Sequence, residues 1–168
     1  VEDKGAMIVL TRPCVVGNYA GCTHHCFGDA AKQAFGELLA YLTNHETLSK
    51  KYAPTPLALS PDDPDKIKQA RFKPGFIIND CSSAEEVKLG EEESGKFEVV
   101  SIPAHKWYIY QHVGSYAGLH AAYTAALKSL EEQKYKNVDD LVFESYVDNP
   151  GEVKEDQLRT WIYFAVKQ

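Results

Sequence analysis

Two apolar stripes at a fixed separation constrain this chain more than any other feature. Ala31, Ala34, Phe35, Leu38, Leu39 and Leu42 recur at the i, i+3, i+4, i+7 spacing that lays one apolar face along a helix. Leu119, Ala122, Tyr123, Ala126, Leu127 and Leu130 repeat the pattern, each 88 residues after its counterpart. Outside the stripes the offset drifts slightly: Pro13 to Pro103 is 90 and Pro64 to Pro150 is 86, differences that short loop insertions absorb. A repeated unit of about 65 residues is too long for a solenoid and implies two similar modules packed together.

Each module reads strand, helix, strand, turn, strand. In the first, Met7 to Leu10 and Cys14 to Tyr19 are extended around Arg12-Pro13, and a loop rich in glycine and histidine follows from Gly17 to Gly28. A helix is expected from Asp29 to about Asn44, then strands at Leu57 to Leu59 and Arg71 to Ile78, separated by the turn Pro61-Asp62-Asp63-Pro64. Asn79 to Lys96 is acidic and reads as a solvated connector. Phe97 to Ile102 and Trp107 to His112 open the second module, with Ala104 to Lys106 after Pro103 in place of the first opening turn. The expected architecture is a single α+β domain with module one at about 7–78, the connector at 79–96 and module two at about 97–168. Its modules form a pseudo-twofold antiparallel-sheet structure with two main helices and a groove, the kind of place where small molecules sit.

Composition narrows the function classes. The chain has 168 residues, 44% of them apolar, enough for one well-buried domain. A net charge of -6 without a basic stripe argues against a nucleic-acid partner. Apolar runs as short as Met7 to Leu10 give neither a membrane span nor a signal peptide, although the start at Val1 leaves a processed terminus open. Cys14, Cys22, Cys26 and Cys81 are too few and too clustered for a disulfide framework, which fits reduced thiols in a cytoplasmic protein.

The stretch Phe143-Glu144-Ser145-Tyr146-Val147-Asp148-Asn149-Pro150 breaks the symmetry. Strand alternation puts Glu144 and Tyr146 on one face and Phe143, Ser145 and Val147 on the other. Under the repeat Glu144 falls opposite Ala58 and Tyr146 opposite Ser60, so the carboxylate belongs to one half only. Burying an unpaired carboxylate costs several kcal/mol, roughly, so this position is either exposed or waiting for a partner.

These residues, with Arg159 to Val166, Pro103-Ala104 and His112-Val113-Gly114-Ser115-Tyr116, resemble the GyrI-like small-molecule-binding domain. That domain occurs alone and as the effector-binding half of AraC-type and MerR-type multidrug-responsive regulators. The resemblance implies two modules around a pocket with aromatic walls and an acidic residue at Glu144 that meets lipophilic, cationic molecules. It also implies an alternative, because some stand-alone members hydrolyse the cyclopropane ring of alkylating natural products with that carboxylate. This chain departs from the pattern at Trp161, where the family often carries an acid, so a less negative pocket is expected. The two modules use up the 168 residues, so no DNA-binding extension is expected.

A cation pocket would pair Glu144 with aromatic faces, each adding about 0.5–2 kcal/mol through cation–π contact. The candidate ligand-binding residues are Glu144, Tyr146, Trp107, Tyr108, Tyr110, Trp161, Tyr163 and Tyr19. Alternation separates Trp107 from Tyr108 and Tyr110, so not all of them can line one pocket. The first functional reading is a non-enzymatic binding module. The second is a hydrolase of strained electrophiles with Glu144 as general base and Tyr146 orienting the substrate. A third, protein interaction such as topoisomerase inhibition, has no identifiable partner surface. Cys22-Thr23-His24-His25-Cys26 is a rival cluster, but it lacks the second ligand pair of a structural zinc site, so neither metal nor cofactor is expected. His112 and His120 read as structural.

Overall fold

The computed structural model describes residues 1–17, 24–61 and 69–167, with only the backbone given for residues 16–17, 24–28 and 69. In chain order the strands and helices are β1 (Glu2–Lys4), β2 (Met7–Thr11), β3 (Cys14–Gly17), α1 (His24–Asn44), β4 (Leu57–Leu59), β5 (Gln69–Ile77), α2 (Glu91–Ser94), β6 (Glu98–Ile102), β7 (His105–Val113), α3 (Leu119–Glu132), β8 (Lys136–Tyr146) and β9 (Arg159–Lys167). This is the α+β fold expected, with antiparallel strands and two main helices. Among the described residues, no helix is long and apolar enough to cross a membrane. The chain divides into an N-terminal unit, Ala6–Pro103, and a C-terminal unit made of Ala104–Gln168 with Val1–Gly5.

In the N-terminal unit β5 lies between β4 on one side and β2 and β3 on the other. Leu10 pairs with Phe76 and Cys14 with Phe72, so β2 and β3 act as one strand interrupted at Arg12-Pro13. Gly75 makes the β2–β5 approach possible: a Cβ there would stand 2.8 Å from Val9 Cγ1 and 2.9 Å from the Leu10 carbonyl oxygen. Leu38 and Leu42 of α1 pack with Ile8, Leu10, Phe76 and Ile78 in the core. Burying each such side chain contributes about 1.5–3 kcal/mol.

Several expectations change here. Helix α1 starts at His24, not Asp29, because Gly28 lies inside the helix; an interior glycine costs only about 1 kcal/mol against alanine. The acidic connector is anchored, not simply solvated: Val87 is buried in the core, and Cys81 and Leu89 pack against it. Phe97 is buried as well and stacks on Tyr41 at 4.7 Å. The strand that follows, β6, pairs with β2 from Met7↔Ile102 to Thr11↔Glu98 and so completes the N-terminal unit's sheet. It is not the counterpart of β2; that part is played by β7.

In the C-terminal unit β9 lies between β7 and β8, and β1 adds the outer strand by pairing Glu2↔Trp107, Asp3↔Lys106 and Lys4↔His105. Each unit therefore has the same order: outer strand, first strand, last strand, middle strand. Strand β8 begins well before Phe143, with a register shift between Asn137 and Val142 where Asp139 and Asp140 take positive φ values of 57° and 48°. The Asn137 amide spans the irregularity by donating to the carbonyls of Ala165 (2.9 Å) and Leu141 (3.2 Å). Aspartate is a poor strand former, and the register shift is how the strand accommodates two of them in succession.

Helix α3 covers one face of this sheet through Leu119, Ala122, Ala126 and Leu130, packed against Tyr108, Ile162, Phe164 and Val166. Two stripe members depart from the expected apolar face: Leu39 is 41% and Leu127 50% exposed. They occupy equivalent positions, one residue after the deeply buried Leu38 and Ala126, so the periodic stripe is wider than the covered face.

Candidate ligand-binding site

Register decides which side chains share a face. In β7, β9 and β8 the rows Tyr108–Phe164–Val142, Tyr110–Ile162–Glu144 and His112–Thr160–Tyr146 run across three strands. Directly opposed residues in an antiparallel ladder point to the same side. Since Tyr108, Ile162 and Phe164 pack under α3, these rows form the α3 face.

Glu144 on that face is only 1% exposed. The Tyr123 hydroxyl, from α3, donates to Oε1 at 2.7 Å, and the Tyr146 hydroxyl donates to Oε2 at 2.5 Å. Among the described residues neither lysine nor arginine pairs with it. Burial pushes its pKa up, while the hydrogen bonds from Tyr146 and Tyr123 and the nearby His112 pull the other way. Desolvation dominates, as it does for a carboxyl in a largely apolar setting.

The surroundings are aromatic. Tyr116, in the short 3₁₀ turn Tyr116–Gly118 that leads into α3, meets the Tyr146 ring edge to face at 5.6 Å. Its pKa is raised first by burial and then by Glu144 and Asp148. Tyr123 meets Phe164 edge to face at 6.1 Å. His112 donates from Nε2 to the Ser115 carbonyl at 2.8 Å. Gly118 leaves room for its ring, since a Cβ there would come within 2.8 Å of His112 Cε1. Beyond Tyr146, Arg159 grips Asp148 through Nε (2.9 Å) and Nη2 (2.8 Å), and these hydrogen bonds hold the Asp148 carboxyl below its ordinary pKa.

The eight sequence candidates separate accordingly. Glu144 and Tyr146 come together, and Tyr110 lies in the Glu144 row. Tyr108 shares their face but is tied to the helix, its hydroxyl 2.7 Å from Ser129 Oγ, so it acts as an anchor. Trp107, Trp161 and Tyr163 are on the opposite face. There Trp107 meets Phe143 at 4.9 Å, Phe143 stacks on Tyr163 at 4.4 Å, Lys4 sits over Tyr163, and Trp161 Nε1 donates to Gln111 Oε1. The pleat thus places these three candidates on the face away from Glu144. Tyr19 lies outside the described residues, as do Cys22 and Thr23 of the rival cluster.

Tyr123 and Tyr116, which the sequence reading does not place in the site, stand beside Glu144 and Tyr146 here, and the His112–Ser115 bond fits the structural reading of His112. In the sequence Tyr123 reads only as an apolar stripe member. The available signal was its hydroxyl: its counterpart in the first stripe is Phe35.

A comparison with curated proteins yields no match. Among solved structures, the chain is similar to the EcmrR C-terminal domain, with a TM-score of 0.69 and 19% identity over 99% of this chain and 95% of that one. In the EcmrR–DNA complex the same likeness has a TM-score of 0.70 and 18% identity, and this chain, 99% covered, spans 56% of the EcmrR chain. SAV2435 bound to tetraphenylphosphonium has a TM-score of 0.61 and 13% identity over 99% of this chain and 92% of that one. A hydrolase from Listeria innocua has a TM-score of 0.61 and 13% identity over 99% and 91%. At these identities the likeness establishes the fold alone. The model of the GyrI-like small molecule binding domain matches residues 18–167, nearly the whole sequence, and the chain belongs to that family.

Proposed function

We propose that this domain binds lipophilic cations on the α3 face of its C-terminal unit, with Glu144 as the counter-charge. The observation that carries the proposal is a carboxyl 1% exposed, without a lysine or arginine partner among the described residues, and ringed by tyrosines. Removing a lone charge from water costs several kcal/mol, roughly, and an arriving cation offsets that cost. Tyrosine faces add about 0.5–2 kcal/mol each. Entry requires side chains over the carboxyl to move aside, because it is covered. SAV2435, a structural neighbour, has been seen with tetraphenylphosphonium, which makes that cation the natural first probe.

A cation is bound by the ionised carboxylate, so binding releases a proton and affinity rises with pH through the raised pKa of Glu144. Calorimetric titration with tetraphenylphosphonium tests the proposal. Glu144→Gln should weaken binding at least about tenfold, the equivalent of 1.4 kcal/mol. Equal affinity in the variant removes Glu144 from the site.

A hydrolase is the second reading, favoured by the same raised pKa, which gives the ionised carboxylate its proton-accepting strength. In it Glu144 takes a proton from water as the oxygen attacks a strained ring carbon. The ring bond breaks toward an electron-accepting group of the substrate, and Tyr146 orients that substrate. Incubation with an activated cyclopropane decides this: the wild type should form ring-opened product faster than Glu144→Gln, and equal rates reject it.

A further inference from the structure

Thr160 is fully buried, and its hydroxyl has no hydrogen-bond partner among the described residues. A buried polar atom of this kind is uncommon in a folded protein and calls for an explanation. Its place is specific. On β9 it pairs with His112 of β7 and Tyr146 of β8, in the row next to Tyr110–Ile162–Glu144. Directly opposed side chains stand about 4.5–5.5 Å apart at Cβ, and diagonal ones about 7–8 Å. Thr160 is thus the immediate neighbour of Tyr146 and a diagonal neighbour of Glu144 on the same face.

Two of the protons beside it are committed. His112 spends its Nε2 proton on the Ser115 carbonyl, and Tyr146 spends its hydroxyl proton on Glu144. The Thr160 hydroxyl, which can accept and donate, is left without a partner among the described residues, in the row adjoining that of the carboxyl. The Ser115 carbonyl holds the His112 ring in the space that Gly118 leaves, so this row is built and not a loose surface.

We infer that Thr160 is a specificity residue that accepts a hydrogen bond from the ligand beside its positive centre, so that the site favours protonated primary or secondary amines over fully alkylated onium ions. The inference rests on the reading of Glu144 as the cation's partner. A carboxylate attracts any cation, whereas a hydroxyl acceptor distinguishes those that carry N–H.

The test is a matched pair of probes, biphenyl-4-ylmethylammonium and its N,N,N-trimethyl analogue, titrated calorimetrically into the full chain and into Thr160→Val and Thr160→Ser. The quantity read is the ratio of the two affinities, which cancels any effect of the substitution on packing. Thr160→Val should shift that ratio about tenfold against the primary ammonium, the size of one lost hydrogen bond to a charged donor, and Thr160→Ser should restore it. A ratio unchanged in Thr160→Val overturns the inference while leaving cation binding intact, and assigns the hydroxyl to a buried water. If neither probe binds the wild type, the cation site fails and the inference falls with it.

Discussion

Phe35 and Phe76 in the N-terminal unit meet edge to face at 6.1 Å and 80°. Tyr123 and Phe164, each 88 residues later, meet at 6.1 Å and 76° in the C-terminal unit. The scaffold reproduces the same ring pair twice, yet only the second copy carries a hydroxyl, and that hydroxyl points at a carboxyl. Ala58, fully buried opposite Pro74 in the first unit, corresponds to Glu144 opposite Ile162 in the second. One unit solves the position with apolar packing, and the other places an ionisable group there with two tyrosine donors. The shared architecture therefore does not need an acid at this position in both units. The energetic cost of burying it is specific to the C-terminal unit, as is the chemistry it makes available.

The strongest way to break this comparison is to give the N-terminal unit the same acid. Ala58→Glu places a carboxyl in a fully buried position whose equivalent of Tyr123 is Phe35, without a hydroxyl. An uncompensated buried charge costs about 3–5 kcal/mol. Urea unfolding should show a loss of that size, and a loss below about 1 kcal/mol would mean that the first unit tolerates the acid as well as the second.

A second substitution concerns the opposite face. Gly75 corresponds to Tyr163, 88 residues on, but Val9 and the Leu10 carbonyl crowd the glycine while Tyr163 stacks on Phe143. Gly75→Ala should cost about 1–3 kcal/mol through forced strand displacement. An unchanged unfolding midpoint would show that β2 and β5 can separate freely.

Tyr123→Phe makes the second unit more like the first. Losing one hydrogen bond to Glu144 should cost about 1 kcal/mol and, because that bond favours the ionised form, should raise the Glu144 pKa further. Carboxyl-carbon NMR of Glu144 reads the shift directly, and a fall in pKa would contradict the assigned role of the hydroxyl.

The smallest effect is the pH dependence of stability itself. Because burial raises the pKa of Glu144 in the folded state, the native protein binds more protons than the unfolded chain between the ordinary and the raised values. That contribution is complete below the ordinary carboxylate pKa and is lost as pH rises through the folded one. Glu144→Gln should flatten the stability profile in this window. Parallel profiles for the two proteins would mean that the carboxyl titrates as it does in water.

Much of the fold is legible in residue order because it rests on local periodicity. The two helix stripes, the alternation that groups Glu144 with Tyr146, and the absence of an acid at Ala58 all follow from spacing along the chain. Alternation also signals that Trp107 parts company with Tyr108, as the register bears out. Periodicity is silent on pairing between distant segments. It does not reveal that β6 joins β2, or that the first residues of the chain supply β1 to β7, because both are choices among partners remote in sequence. Nor does it show where a stripe meets a neighbour, so Leu39 and Leu127 look as apolar as Leu38 and Ala126 while lying outside the packed face.

The sequence by itself therefore determined two matching modules and a single out-of-pattern glutamate, since those depend on side-chain type and spacing. Tertiary structure alone decided that Tyr123 from a helix and Tyr146 from a strand cap that glutamate, and that Thr160 is left in the adjoining row with a hydroxyl unclaimed among the described residues. The reason is physical: hydrogen bonding and desolvation are set by atoms within a few ångströms, and only the packing of α3 on its sheet brings these residues that close.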